Sequence, residues 1–123
     1  MKMLVAAAAA AAVIVAAGPV VAHHSYAMFD AAQNKQLEGT VATFKWTNPH
    51  SYIEVLVPGK DGVMEKWGVE CGSPAQLVRA GWRSTTLKAG DHVVVTVHPL
   101  RSGELGGSFV SVQTPDGRTL KGS

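Results

Sequence analysis

The chain has 123 residues, a formal net charge of +2 and a single cysteine, and 46% of its residues are apolar. This length allows one small domain. The basic residues are few and scattered, which argues against a nucleic-acid-binding protein, and one cysteine excludes both an internal disulfide and a zinc site built from several cysteines.

The apolar residues are concentrated at the N-terminus: 19 of the first 22 residues are apolar, against about 38% of the remaining 101. Lys2 precedes an apolar run over residues 3–17, and a glycine–proline pair separates that run from Ala22. This pattern is typical of a secretory signal peptide, and the run is shorter than the roughly 20 residues that span a bilayer. We therefore expect residues 1–22 to be a signal peptide that is cleaved near Ala22, although a cut nearer Ala17 is the alternative. The product would be periplasmic or secreted, with no membrane anchor.

The mature chain is expected to contain an N-terminal arm, residues 23–36, followed by one domain, residues 37–123. The arm shows no clear periodicity. In the domain, runs rich in β-branched and aromatic residues are separated by turn residues, which predicts five strands. These strands are residues 37–46, 51–57, 64–71, 92–98 and 109–114. Gly39 interrupts the first strand, so we expect a bend or bulge there.

A short helix is predicted between the third and fourth strands. Ser73 is a good N-cap, Pro74 suits the first helical position, and Gly81 suits the C-terminal end of a helix over residues 75–80. Three strands, a helix and two strands follow one another in this order in the OB-fold. The predicted fold is therefore mostly β: a small five-stranded OB-like Greek-key barrel with one short helix between strands 3 and 4. An open meander with a helix is the alternative.

Eight short motifs follow one another along most of the mature chain. Between residues 23 and 91 they are HHSY, FD, LEGTV, WTNPH, WGVE, GSP, RAGW and LKAGD. This series resembles a family of small exported bacterial proteins described as a domain of unknown function. The resemblance implies a periplasmic or secreted protein and implies no activity. Cys71 stands where we associate an apolar residue with that family, which argues against a thiol mechanism.

The mature N-terminus is the strongest candidate for chemistry. After cleavage at Ala22, His23 would offer its α-amino group and its ring Nδ1 to one metal ion, and His24 would add a second imidazole. His50, in the turn after the first strand, would complete the set if the arm folds back. Nitrogen donors of this kind suit copper, with zinc and nickel as alternatives. We therefore expect a metal site at His23, His24 and His50, with copper as the candidate cofactor.

Each of these histidines also has a structural interpretation. His23 and His24 fit a solvated chain end, and His50 fits a turn histidine that bonds to the backbone. Two residues at the end of the third strand are expected to be structural as well. Glu70 would interact with the N-terminus of the helix, and Cys71 would be a buried small hydrophobic residue.

Trp46, Asn48 and Tyr52, in and beside the turn that contains His50, form a candidate surface for a ligand or a protein partner. Alternatively, the tryptophans fill the small core. The nearly neutral charge disfavours nucleic acid, and no catalytic set or phosphate-binding loop is recognisable. We therefore expect a non-enzymatic binding module. An accessory subunit of an envelope or exported enzyme complex is the alternative.

Overall fold

Strands are the main secondary structure of the computed structural model, which describes residues 26–122. The strands are β1 (Lys35–Lys45), β2 (Tyr52–Pro58), β3 (Met64–Glu70), β4 (His92–Pro99), β5 (Gly106–Gln113) and β6 (Thr119–Lys121), and a helix, α1 (Pro74–Arg79), lies between β3 and β4. The strand order is β3-β2-β1-β4-β5-β6, and parallel pairing of β3 with β5 closes the first five strands into a barrel. The predicted five-stranded OB-like barrel with one short helix is confirmed.

The long strand β1 is shared between two neighbours, which lets the sheet close. Residues 35–40 pair with β4, and residues 40–45 pair with β2. The register irregularity lies between Val41 and Thr43, two residues beyond the bend that we expected at Gly39. A Cβ atom at Gly39 would meet the carbonyl oxygen of Leu56 on β2. The glycine therefore allows two strands to approach closely, and the irregularity follows it.

β6 is an addition to the predicted fold, because the sequence indicated only a turn and the chain end there. It pairs with β5 alone, with Leu120 opposite Val112. The indole Nε1 of Trp82 also donates a hydrogen bond of 2.9 Å to the carbonyl oxygen of Lys121. Three residues are too few to show an alternating pattern, so this strand depends on contacts that sequence periodicity does not reveal.

The barrel core consists of alternate strand residues together with residues of α1 and the segment after it. Its fully buried side chains are Leu37, Val41, Ile53, Val55, Val69, Leu77, Trp82, Val93, Val95, Val97 and Val112. Trp67 and Trp82 are both buried, as the structural interpretation of the tryptophans predicts. Rings of Phe44 and Phe109 lie 5.9 and 5.4 Å from the Trp82 ring, so aromatic packing fills the core around it.

Helix α1 begins as the sequence predicts. The Ser73 hydroxyl accepts a hydrogen bond from the backbone N–H of Gln76, and the Gln76 side chain accepts one from the backbone N–H of Ser73. This capping box satisfies backbone donors that the first turn of a helix leaves unpaired. It fixes the direction of the chain just after β3, where Cys71 and Gly72 contact the turn that contains His50.

The described part of the arm lies against the barrel. Phe29 is buried and forms a β-bridge with Leu100, and the N–H of Arg101 donates to the carbonyl of Met28 at 2.9 Å. The arm therefore folds back as far as Tyr26. The predicted signal peptide, His23 and His24 lie outside the described residues. Within residues 26–122, no helix is long and apolar enough to cross a membrane.

The close approach of β1 and β2 predicts a large cost for a side chain at Gly39. Gly39→Ala should lower the free energy of unfolding by about 2–3 kcal/mol, because the new methyl group would press on the Leu56 backbone. Gly68→Ala is the matched control, since a Cβ atom there meets nothing within 4 Å, and it should stay within about 0.5 kcal/mol of wild type. Urea unfolding measures both, and equal stabilities of the two variants would contradict this account.

Candidate functional site

The turn between β1 and β2 is fastened to the segment that follows β3. The N–H of Ser51 donates to the carbonyl of Gly72 at 2.9 Å, and the N–H of Cys71 donates to the carbonyl of Ser51 at 2.8 Å. Within the turn, the Thr47 hydroxyl donates to the carbonyl of His50, and the peptide bond between Asn48 and Pro49 is cis. His50 is therefore held at a fixed position next to the end of β3.

The His50 ring is oriented by one backbone contact. Its Nδ1 lies 3.1 Å from the carbonyl oxygen of Cys71. A carbonyl oxygen can only accept a hydrogen bond, so Nδ1 carries the proton in this contact. The other nitrogen, Nε2, faces Glu70 with 3.7 Å between Nε2 and Oε1. The structural interpretation of His50, a bond to the backbone, therefore holds, and the same bond leaves Nε2 directed at a carboxylate.

Glu70 is nearly buried, with only 10% of its side chain exposed. The α1 N-terminus is capped by Ser73 and Gln76, and the side chain that faces the Glu70 carboxylate is that of His50, with 3.7 Å between Nε2 and Oε1. No side chain or backbone group of residues 26–122 donates it a hydrogen bond of ordinary length. A buried carboxylate with one long contact is costly unless a positive charge balances it.

Tyr26 connects this pair to the arm. Its ring lies edge-on to the His50 ring, with 6.5 Å between the centroids, and 64% of the residue is exposed. Tyr26 and Glu70 also line a small cavity of about 180 Å³, together with residues of β5 and α1. We call His50 and Glu70 the His50–Glu70 site.

Glu70 also acts on its neighbours. Tyr52 lies directly opposite Glu70 in the pairing of β2 with β3. Burial raises the pKa of the Tyr52 phenol, and the negative charge of Glu70 adds to the rise. Burial likewise raises the pKa of the Cys71 thiol, with a further contribution from Glu70. Both groups are therefore neutral at physiological pH, and Cys71 is the buried residue that the sequence predicts.

Trp46, Asn48 and Tyr52, the residues of the predicted ligand or partner surface, have different environments. Trp46 is half-buried and packs against the core, with its ring 5.8 Å from that of Phe44. Tyr52 pairs with the exposed Lys45 on the outer face of the barrel, and Asn48 is exposed in the turn. Tyr52 also lies opposite Glu70 in the pairing of β2 with β3.

The other described histidines lie on β4 and have partners of their own. Nε2 of His92 is 3.2 Å from Oε1 of Glu38, and Nδ1 of His98 is 2.9 Å from the carbonyl oxygen of Gln33. Residues 26–122 contain no group of three or more histidine, cysteine, aspartate or glutamate residues that could hold a metal ion. The His50–Glu70 site therefore contains two such side chains from the described residues.

Sequence reasoning named His50 but not Glu70 as a site residue, although the hairpin register contains the signal. Pro58 pairs with Met64 across the β2–β3 turn, and counting back from this pair sets Tyr52 opposite Glu70. His50, two residues before Tyr52, must then lie beside the residues that follow Glu70. The position of the β2–β3 turn sets the strand register, and the register predicts that Glu70 and His50 lie close together.

The fold and this pair define a class: a small OB-like β-barrel that holds a histidine and a nearly buried carboxylate at one end, with its N-terminal arm packed alongside. The chain belongs to DUF6152, a family of unknown function, whose pattern matches residues 9–109. The resemblance drawn from the short motifs is thus confirmed. No curated protein and no solved structure matches the chain.

The burial of Cys71 predicts an inert thiol. A raised pKa means that the protonated form persists above neutral pH, and the thiolate is the reactive form. In the folded protein at neutral pH, reaction with a disulfide reagent should be at least about a hundredfold slower than in the urea-unfolded chain. Rates within a few-fold of each other would show that the Cys71 thiol is accessible and would contradict its placement.

Proposed function

We propose that this protein is an exported small binding module that binds copper through His23, His24 and His50. The carrying observation is the orientation of His50: its Nδ1 is bonded to the Cys71 carbonyl, and its Nε2 remains available. Metal-binding histidines characteristically donate their second ring N–H to such a backbone or carboxylate acceptor, which fixes the ring and its tautomer.

The path of the arm supports the participation of His23. Tyr26 contacts the His50 ring, and His23 is three residues earlier in the chain. Three residues span at most about 10 Å, so the N-terminal residue of the mature chain can reach the His50–Glu70 site. His23 and His50 can bind one ion only if the arm folds back, and the described part of the arm lies against the barrel as far as Tyr26.

Export is the second part of the proposal, and the first part depends on it. The α-amino group of His23 becomes free only when the signal peptide is removed at Ala22. An α-amine with an ordinary pKa of about 7.7–8.0 is partly unprotonated at neutral pH, so it can join the ring of His23 in a chelate. One buried cysteine is compatible with an oxidising compartment.

The experiment is a copper titration of the mature protein purified from the periplasm, after mass spectrometry has identified its N-terminal residue. His23→Ala and His50→Ala should each weaken Cu(II) binding by at least about tenfold. His92→Ala is the matched control, because that histidine contacts Glu38 on β1 rather than the arm, and it should leave the affinity unchanged. Unchanged affinity in both test variants, or an N-terminus elsewhere, contradicts the proposal.

Acetylation of the α-amino group of His23 separates chelation by the terminus from simple histidine binding. The acetyl group keeps both imidazoles and replaces the amine with an amide, without adding a new N-terminal amine. The acetylated protein should lose at least about tenfold in Cu(II) affinity. Full retention of affinity would mean that the free N-terminus is not a ligand.

The second candidate function is that of an accessory subunit that docks on a larger exported complex without metal. The exposed side chains of Tyr26 and Met28 on the described part of the arm favour it, because they offer apolar contact area at the surface. In this case the protein would migrate with a larger complex in native periplasmic fractions, and Tyr26→Ala would release it. Migration as the free protein in every fraction contradicts docking.

A further inference from the structure

The His50–Glu70 site brings two electron-pair donors face to face. With the Nδ1 proton directed at the Cys71 carbonyl, the neutral His50 ring presents the lone pair of Nε2 to the Glu70 carboxylate. Glu70 has 10% of its side chain exposed, so water screens this arrangement weakly. A cation placed between the two groups would contact both electron-pair donors.

The spacing of the two groups suits a metal ion. Nitrogen and oxygen ligands lie about 2.0–2.2 Å from first-row ions such as Zn²⁺. Two ligands at such distances whose atoms are 3.7 Å apart subtend an angle of roughly 120° at the ion. This angle suits a tetrahedral ion such as Zn²⁺ directly. The tetragonal geometry of Cu(II), with about 90° between neighbouring ligands, needs Nε2 and Oε1 about 2.9 Å apart, roughly 0.8 Å closer than they are here.

We infer that Glu70 is the anionic ligand of the copper site and makes the site selective for Cu(II) over Cu(I). This inference rests on the proposed function, since it assumes that copper binds at His50. Carboxylate oxygen suits the harder, more highly charged ion, whereas Cu(I) is selected by thiolate and thioether sulfur. The sulfur nearest in the chain, that of Cys71, points into the core and donates to the carbonyl of Val69.

The charge of Glu70 adds to the preference. A nearly buried carboxylate attracts a divalent ion more strongly than a monovalent ion, because little water screens the interaction. Glu54 shows the contrast on the same sheet: its carboxylate is already paired with Lys45 at 2.7 Å and Lys66 at 2.8 Å, which holds the pKa of that carboxyl below its usual range. Glu70 has no such lysine among the described residues.

The test compares Cu(II) and Cu(I) affinities of the mature protein by competition with chelators of known strength. Glu70→Gln keeps the size of the side chain and removes its charge. It should weaken Cu(II) binding by at least about tenfold and change Cu(I) binding by less than about threefold. Glu54→Gln, the matched control on a neighbouring strand, should change neither affinity.

The outcomes separate the inference from the proposed function. If the wild-type protein fails to bind copper, or if His50→Ala leaves binding unchanged, the proposed function fails and the inference fails with it. If binding requires His50 but Glu70→Gln leaves Cu(II) affinity unchanged, or weakens Cu(II) and Cu(I) binding equally, only the inference is overturned.

A second measurement decides the matter if Glu70→Gln does not fold, as judged by circular dichroism. A crystal structure of the copper-loaded wild-type protein should show an oxygen of Glu70 within bonding distance of the ion, together with Nε2 of His50. An ion bound to His50 with Glu70 outside bonding distance overturns the inference.

Discussion

The hydrogen bond between Nδ1 of His50 and the carbonyl oxygen of Cys71 is the contact on which the site depends. It joins the turn after β1 to the residue that follows β3, and it decides which ring nitrogen carries the proton. Backbone bonds of Ser51 to Cys71 and Gly72 hold the two segments in place, so the ring cannot turn away without disturbing this junction. The geometry of the His50–Glu70 site follows from this one orientation.

The barrel supports that junction from both sides. The register of β2 and β3 sets Glu70 opposite Tyr52, and the pairing of β3 with β5 covers its other side, where Ser108 is its partner. The capping box at Ser73 then fixes where the chain turns into α1. The carboxylate is thereby nearly buried at the end of β3.

Local patterns in the sequence were sufficient for most of the fold. The cap at Ser73, the strand order and the buried Cys71 all follow from residue types at short spacing, which local physical chemistry governs. β6 was not predicted because three residues are too few to show an alternating pattern of apolar and polar side chains. The position of the β1 irregularity was not predicted because it is a property of the pairing of β1 with β2, which the β1 sequence alone does not contain.

The site was only partly predictable, because it too depends on contacts between different strands. His50 stands out as a histidine in a turn, but the importance of Glu70 arises from register across a hairpin. Trp46 packs against the core, whereas Tyr52 pairs with the exposed Lys45 after the turn has reversed the chain. The ligands proposed at His23 and His24 depend on a cleavage event, which is chemistry outside the fold itself.

The tautomer of His50 is the most direct test of this account, and a long-range ¹H–¹⁵N correlation spectrum of the mature apo-protein measures it. Under conditions in which the ring is neutral, the account predicts that the proton is on Nδ1 and that Nε2 shows the shift of an unprotonated nitrogen. Addition of Zn²⁺, a diamagnetic probe for the same donors, should then move the Nε2 signal most. A neutral ring protonated on Nε2, with no response to the ion, would contradict the central claim.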